Sequence, residues 1–289
     1  MIYTNISGGL GNQLFEYAFA REIQHITGQD IELNTYEIEN YELNRHYALG
    51  SLQLADGTAK GSSELPWFVH RRSMRGAIMR RLSPKMLLKY AENHNSFVWY
   101  ENGYCEKPSF ENTKDVYLGG YWQSEKYFAD IVDEIRREIV FPIMEGQADE
   151  NEKRILNSES VCMHIRRDDY VGTDYEVCTK QYYNDSMRYI EQHVDNPTYF
   201  VFSDDIEWVK NKLGLQTDKQ VIYISGNKDY EDLRLMSECR HFIMSNSSYS
   251  WWAQELCKNS SIVCAPSKWH KKWDIHDIYK NDWILFSMV

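Results

Sequence analysis

Short apolar runs and amphipathic helical stretches alternate without a break from residue 161 to residue 265. Residues 161–165, 199–202, 220–224, 242–244 and 261–265 read as strands, the last stopped by Pro266. Between them lie four helical patterns. One begins near Thr179, with Tyr183, Met187, Ile190 and Val194 on one face. The others cover 206–213, closed by Gly214, then 232–239 and 249–257. Strands alternating with helices mean a parallel sheet with crossover helices. In such a sheet the carboxyl ends of the strands fall on one edge, where ligands bind. Three of those ends are polar here: 164–170, 203–205 and 245–248. They are expected to line one site.

The first half carries a second unit of the same kind. Residues 2–6 read as a strand and Ser7-Gly8-Gly9-Leu10-Gly11-Asn12 as a glycine turn. A helical pattern of Leu14, Phe15, Ala18, Phe19, Glu22, Ile23 and Ile26 follows, with Gly28 as its C-terminal stop. Residues 31–33 supply the next strand. The turn lets a backbone approach a ligand at a helix N-terminus, but it equally suits a tight strand-helix connection. Its spacing is not G-x-G-x-x-G. Residues 34–65 are polar with little periodicity. From 117 to 128 the chain reads as strand, turn and helix start, with Ser124 as N-cap. That helix is expected to run through Ile131, Ile135 and Ile139 to Pro142. The charged run 145–152 is the candidate linker or domain edge, so domains 1–150 and 151–289 are predicted. The tail, with Trp269, Trp273 and Trp283, is expected to pack back over the chain, against the N-terminal domain. The 289 residues suit two such domains of about 100–150 residues each.

Charge narrows the function classes. The chain has a net charge of −11, the opposite of the basic footprint a nucleic-acid binder shows. Aromatic residues make up 14% and suit sugar rings, but they suit a packed core as well. No apolar run approaches the 18 or so residues that span a bilayer, and the N-terminus lacks a basic leader. Cysteines 105, 162, 178, 239, 257 and 264 form no C-x-x-C pair and read as reduced thiols of a cytoplasmic protein. Segment 70–90 stands apart. It holds Arg71, Arg72, Arg75, Arg80, Arg81, Lys85 and Lys89 with no acid among them. Met74, Ile78, Leu82 and Met86 recur every four residues. This predicts a basic amphipathic helix broken near Pro84. Its first reading is a solvated basic face over a core stripe. Its second is peripheral contact with an anionic inner-membrane surface or a lipid-linked acceptor.

The loop His164-Ile165-Arg166-Arg167-Asp168-Asp169-Tyr170 combines an anion clamp with candidate bases. Arginine offers a planar, permanently charged donor fork that suits phosphate, and a nearby carboxylate can take a proton. Together with Gly8-Gly9-Leu10-Gly11-Asn12-Gln13-Leu14-Phe15, Gly120-Tyr121-Trp122-Gln123-Ser124-Glu125-Lys126-Tyr127-Phe128, Phe202-Ser203-Asp204-Asp205 and Ser245-Asn246-Ser247-Ser248-Tyr249-Ser250-Trp251-Trp252, this loop resembles the motifs of the α-1,2-fucosyltransferases of glycosyltransferase family 11. The motifs occur in family order from residue 5 to about residue 265. The usual loop has Gly where this chain has Asp168.

The resemblance implies an α/β, GT-B-type fold: two Rossmann-like domains facing a central cleft. It implies inverting, metal-independent transfer of L-fucose from GDP-β-L-fucose to the 2-hydroxyl of a terminal β-galactoside on an oligosaccharide or glycolipid. No cofactor and no metal are expected, and the chain contains no D-x-D. Asp204 and Asp205 are adjacent and are expected to orient loops. Arg166 is the expected partner of the departing diphosphate. His164 matches a position near the nucleotide, or is a satisfied strand-end histidine. Asn246, Ser247 and Ser248 precede a helix and can meet phosphate, or serve as ordinary caps. Asp232 matches an acid that reads guanine, or caps its helix. Asn12 and Gln13 are assigned to donor or acceptor contact. The base is Asp169, with Asp174 its rival, because Val171-Gly172-Thr173-Asp174 resembles the base-bearing stretch of α-1,6 enzymes. Asp169 could instead only hold Arg166. Other readings are a fucosyltransferase of another linkage, such as α-1,6, a dinucleotide oxidoreductase, and a non-catalytic carbohydrate-binding protein.

Overall fold

A computed structural model of the chain describes residues 1–70, 72–99 and 114–287. Arg71 and Cys105, both named above, lie outside them. The chain divides into two compact units, Met1–Val140 and Phe141–Val289. The described residues thus place the division ahead of the expected linker. The run 145–152 is not an unstructured linker: Glu145 is the N-cap of the helix Gly146–Leu156, which buries Ala148, Asn151 and Ile155 on one face and starts six residues past the division. Its charge density hid a 3.6-residue period.

The first unit holds a five-stranded sheet. Its strands are β1 (Ile2–Asn5), β2 (Ile31–Asn34), β3 (Thr58–Gly61), β4 (Ser96–Trp99) and β5 (Val116–Gly120), in the order β3-β2-β1-β5-β4. All pairings are parallel. The helix Leu10–Thr27 connects β1 to β2 and buries Leu14, Phe15, Ala18, Phe19 and Ile23. Gly28 ends it at φ 68°, where a side chain would be strained, and its N–H reaches the Gln24 carbonyl at 2.7 Å. Strand β3 falls in segment 34–65, where the sequence showed little periodicity, and is a short, half-exposed edge strand; β4 falls in a stretch for which the sequence suggested no element.

The helix expected beyond Ser124 is broken. Two 3₁₀ turns, Glu125–Tyr127 and Ala129–Ile131, precede a helix limited to Val132–Glu138. Phe128 (φ −134°) and Ile131 (φ −126°) leave helical geometry. The apolar spacing was nonetheless informative, since Ile131, Ile135 and Ile139 are all buried.

The basic segment forms two helices, Met74–Leu82 and Pro84–Glu92, divided at Ser83 with Pro84 in the first turn of the second. The core-stripe reading is corrected here. Met74, Ile78, Leu82 and Met86 are 81%, 54%, 74% and 65% exposed, while Leu87 and Ala91 pack inward with Phe68, Val69 and Val98.

The second unit holds a six-stranded, all-parallel sheet: β6 (Ser160–Ile165), β7 (Thr198–Ser203), β8 (Gln220–Ile224), β9 (His241–Ile243), β10 (Val263–Pro266) and β11 (Ile284–Phe286). Their order is β11-β10-β9-β6-β7-β8. Every residue of β6 is buried, as a central parallel strand covered on both faces requires. The tail belongs to this unit. It adds β11 beside β10, buries Trp269 and Trp283, and leaves Trp273 half exposed. Two parallel α/β sheets of this kind match the GT-B class. Among the described residues no helix is long and apolar enough to cross a membrane. The five described cysteines are free thiols, with Cys162, Cys239 and Cys264 buried.

Candidate active site

The order β9-β6-β7 sets three polar strand ends side by side, because β6 pairs in parallel with both neighbours. The loops after these strands meet. Arg166 follows β6, and its side chain is 19% exposed, so it is both held and reachable. Its Nε and Nη2 donate to Asp169 Oδ1 at 3.1 and 2.7 Å. Its Nη1 lies 3.0 Å from Asp204 Oδ2. A guanidinium has five N–H donors, so one more remains on each terminal nitrogen for an incoming anion.

Asp204 and Asp205 both turn to arginine. Asp204 Oδ1 accepts the Arg167 backbone N–H at 2.9 Å, and burial pushes its carboxyl upward against the pull of Arg166. Asp205 caps a helical turn through the Trp208 N–H at 3.1 Å and takes Arg167 Nε at 3.3 Å. The Arg167 guanidinium also covers the Trp208 ring, 3.4 Å from its centroid. The two aspartates therefore orient this loop through cations and main-chain N–H groups. Arg167 and Trp208 were not anticipated; nothing local in the sequence marks their stacking.

His164 is buried, and its Nδ1 lies 2.9 Å from Ser250 Oγ. Ser250 also lies 3.1 and 3.3 Å from the Ser245 and Ser247 carbonyls. Its single proton goes to a carbonyl, so Nδ1 carries the ring hydrogen and Nε2 is left as an acceptor. Burial, then the charge of Arg166, push the His164 pKa down to about 3, so the ring is neutral. The strand-end alternative for His164 thus describes its Nδ1 side. Ser250 was missed; the signal was a hydroxyl in the first turn of the helix that faces this histidine.

Ser247 caps the helix Ser248–Leu256 by accepting the Tyr249 N–H at 3.3 Å. Ser248 opens that helix. Asn246 is committed to structure. Its Nδ2 donates to the Tyr175 and Trp269 carbonyls at 2.9 and 2.8 Å, and its Oδ1 faces the Cys178 thiol at 3.5 Å. It ties the loop after Arg166 to the tail. Tyr170 adds a further tie, donating to the Asn246 carbonyl at 3.1 Å.

Asp232 lies in the helix Asp229–Ser237, which starts three residues earlier than the sequence indicated. It is not the cap. Glu231 does that work, accepting the Lys228 N–H at 2.8 Å. The Asp232 carboxylate accepts Asn227 Nδ2 at 2.8 Å. Burial pushes its pKa up to about 6 against the Asn227 bond, with Glu231 and Asp229 adding to the rise. Tyr249 links the start of this helix to the histidine: its hydroxyl donates to the Asp229 main-chain carbonyl, and its ring lies 5.7 Å from that of His164.

Both candidate bases are paired with a cation. Asp169 is tied to Arg166 as described. Asp174 lies 2.6 Å from Lys272 Nζ, which holds its carboxyl below the usual carboxylate range. A depressed pKa makes a poorer proton acceptor near neutrality.

In the first unit the glycine turn is already filled. The Ser7 N–H and Gly8 N–H donate at 2.9 Å each to buried Glu16 and to Glu42. A turn whose N–H groups meet its own carboxylates is not a pyrophosphate cradle, which removes the basis of the dinucleotide reading. Gln13 is fully buried. Its amide nitrogen donates to the Gly8 and His46 carbonyls at 2.9 and 2.8 Å, and its oxygen accepts the Ala48 N–H at 2.9 Å. Its polar atoms serve the fold. Asn12 Oδ1 accepts Gln123 Nε2 at 2.8 Å.

Three comparisons bear on this arrangement. The model of glycosyl transferase family 11 matches residues 1–287. An α-1,2-colitosyltransferase of Escherichia coli is 32% identical over 293 residues, covering 96% of this chain and 94% of its own. Galactoside α-(1,2)-fucosyltransferase 2 of Bos taurus is 22% identical over 274 residues, 90% of this chain and 70% of its own. Among solved structures, fucosyltransferase NodZ from Bradyrhizobium superposes with a TM-score of 0.52 at 12% identity, over 88% of this chain and 92% of its own. At that identity the likeness bears on the fold alone.

Proposed function

The chain belongs to glycosyl transferase family 11, and we propose that it transfers L-fucose from GDP-β-L-fucose to the 2-hydroxyl of a terminal β-galactoside, with inversion and without a metal. The observation that carries this reading is the Arg166 clamp. Its guanidinium is fixed on one side by Asp169 and Asp204, with an N–H left on each terminal nitrogen. Charge develops on the diphosphate as the glycosidic bond breaks, and a preoriented, half-dry cation there stabilises the transition state more than the ground state. Arg166 takes the role a metal ion would otherwise fill.

In this reading Asp232, with its helix already capped by Glu231, is left to accept guanine N–H groups. Ser247 and Ser248 bring the start of their helix to a phosphate. Neutral His164 supplies an acceptor at Nε2. Asp169, on the loop that carries Arg166, removes the acceptor hydroxyl proton, with Asp174 its rival; each is paired with a cation that must yield as the proton moves. Asn12 contacts a substrate, and Gln13 positions it. The acceptor is an oligosaccharide or a glycolipid that ends in galactose.

A second reading changes only the donor sugar. The E. coli relative transfers colitose by its name, at 32% identity over nearly the whole chain. Colitose lacks the 3-hydroxyl of fucose, so the two donors compete for one nucleotide site. Supplying GDP-fucose and GDP-colitose together with lactose, and determining the product by NMR, decides both points. An α-1,2-linked fucosyl product supports the first reading. An α-1,2-linked colitosyl product supports the second, and another linkage overturns both.

A further inference from the structure

The helices Met74–Leu82 and Pro84–Glu92 turn outward what helices ordinarily bury. At about 100° per residue, Gly76 and Met79 lie on the packed side of the first helix. A Cβ on Gly76 would stand 3.3 Å from the Trp67 carbonyl oxygen and 3.4 Å from that of His70, so this helix rests on its smallest residue. The opposite side carries Met74, Ile78 and Leu82, which are 81%, 54% and 74% exposed. In the second helix Leu87 and Ala91 anchor to the first sheet's core, and Met86 stays 65% exposed. The packing needs of both helices are met from one side, and a continuous apolar stripe remains on the other. An exposed stripe of this kind marks an interaction surface.

The charges beside the stripe indicate what covers it. Arg75, Arg81, Lys85 and Lys89 are exposed, and Glu92 is the single acid between residues 74 and 92, in a chain of net charge −11. Cations interleaved with Met, Ile and Leu on one outward face fit a surface that is anionic at its boundary and apolar just beneath. We propose that this helix pair is a peripheral docking surface for an anionic lipid bilayer. Met74, Ile78, Leu82 and Met86 enter the headgroup boundary, and Arg75, Arg81, Lys85 and Lys89 pair with lipid phosphates. A twofold contact with a second copy would instead set these cations against one another. The surface belongs to the first unit and its inference does not depend on the transferred sugar.

The test is co-sedimentation of the full chain with vesicles of phosphatidylcholine, or of phosphatidylcholine mixed with phosphatidylglycerol, at low and high salt. The native chain is expected to bind the mixed vesicles only, and to be released by salt. Replacing the four cations by Gln is expected to weaken binding by two to three orders of magnitude, at about fivefold per charge. The outward substitution of Met74, Ile78, Leu82 and Met86 by Ser is expected to abolish it. The single changes Arg81→Gln and Ile78→Ser are too mild to unfold the pair and must shift binding in the same direction. Equal binding to both vesicle types, no binding, or native-strength binding by the Gln variant would overturn the proposal. So would a dimer in size-exclusion chromatography that the Ser variant converts to monomer without any lipid binding.

Discussion

Asp204 Oδ2 lies 3.0 Å from Arg166 Nη1. The other oxygen of the same carboxylate accepts the N–H of Arg167, so one side chain fixes both the guanidinium and the main chain that carries it. Asp204→Asn keeps an acceptor for that N–H and removes the charge facing Arg166. Turnover is expected to fall by about tenfold, or ~1.4 kcal/mol of barrier, with GDP affinity little changed. Steady-state kinetics with a separate GDP titration check this; an unchanged kcat would free Arg166 from any dependence on Asp204.

The Asp232 carboxyl sits at about 6, raised by burial. The raised value means the acid takes up its proton as pH falls through that point, losing one of the two acceptors that guanine N–H groups need. Bound guanine favours the charged form and draws the step lower. GDP affinity is therefore expected to weaken as pH drops below about 6 and to be flat in Asp232→Asn. Calorimetric titration across this range would expose a pH-independent native affinity, which contradicts the guanine role.

The two candidate bases separate by charge. Lys272 holds Asp174 ionised at low pH, as an exposed pair that costs little to break. Asp174→Asn is expected to retain most of the activity, while Asp169→Asn loses about 10²–10⁴-fold in kcat. Asn at 169 still offers an oxygen to Arg166, so the loss reads proton transfer more than positioning. The reverse ranking would give the base to Asp174.

Gln13 has no exposure and binds three main-chain groups within 2.9 Å. Gln13→Ala leaves those groups unpaired in the interior, at about 1–3 kcal/mol each before relaxation. A net loss of about 3–4 kcal/mol is expected by denaturant unfolding. A loss within experimental error would mean that water replaces the amide.

Strands β6 to β10 of the second sheet were legible because they are continuous apolar runs separated by helical periods, and the parallel-edge rule then placed three polar loops together; β11, in the tail, was not read as a strand. The order that makes β6 central is set by pairing across distant segments and has no local signature. Periodicity also has no sense of direction. The four-residue repeat from Met74 to Met86 correctly marked one face, but Gly76, Leu87 and Ala91 decide that this face points outward. Composition misled at 145–152, where charge concealed a helix whose buried face is only Ala148, Asn151 and Ile155. In the site, Arg166, Asp169 and Asp204 were legible as one charged loop and its neighbour. The commitments of Gln13 and Asn246 to carbonyls of residues 46, 175 and 269 were not, because those partners are remote in sequence.

The most direct measurement is GDP release from GDP-β-L-fucose in EDTA, with and without lactose, for the native chain and Arg166→Ala. Lactose-dependent release that survives EDTA and falls in the variant by ~3–4 kcal/mol of barrier is the expected result. Release that stops in EDTA and returns with magnesium, or an Arg166→Ala variant as fast as the native chain, would contradict the metal-free arginine clamp.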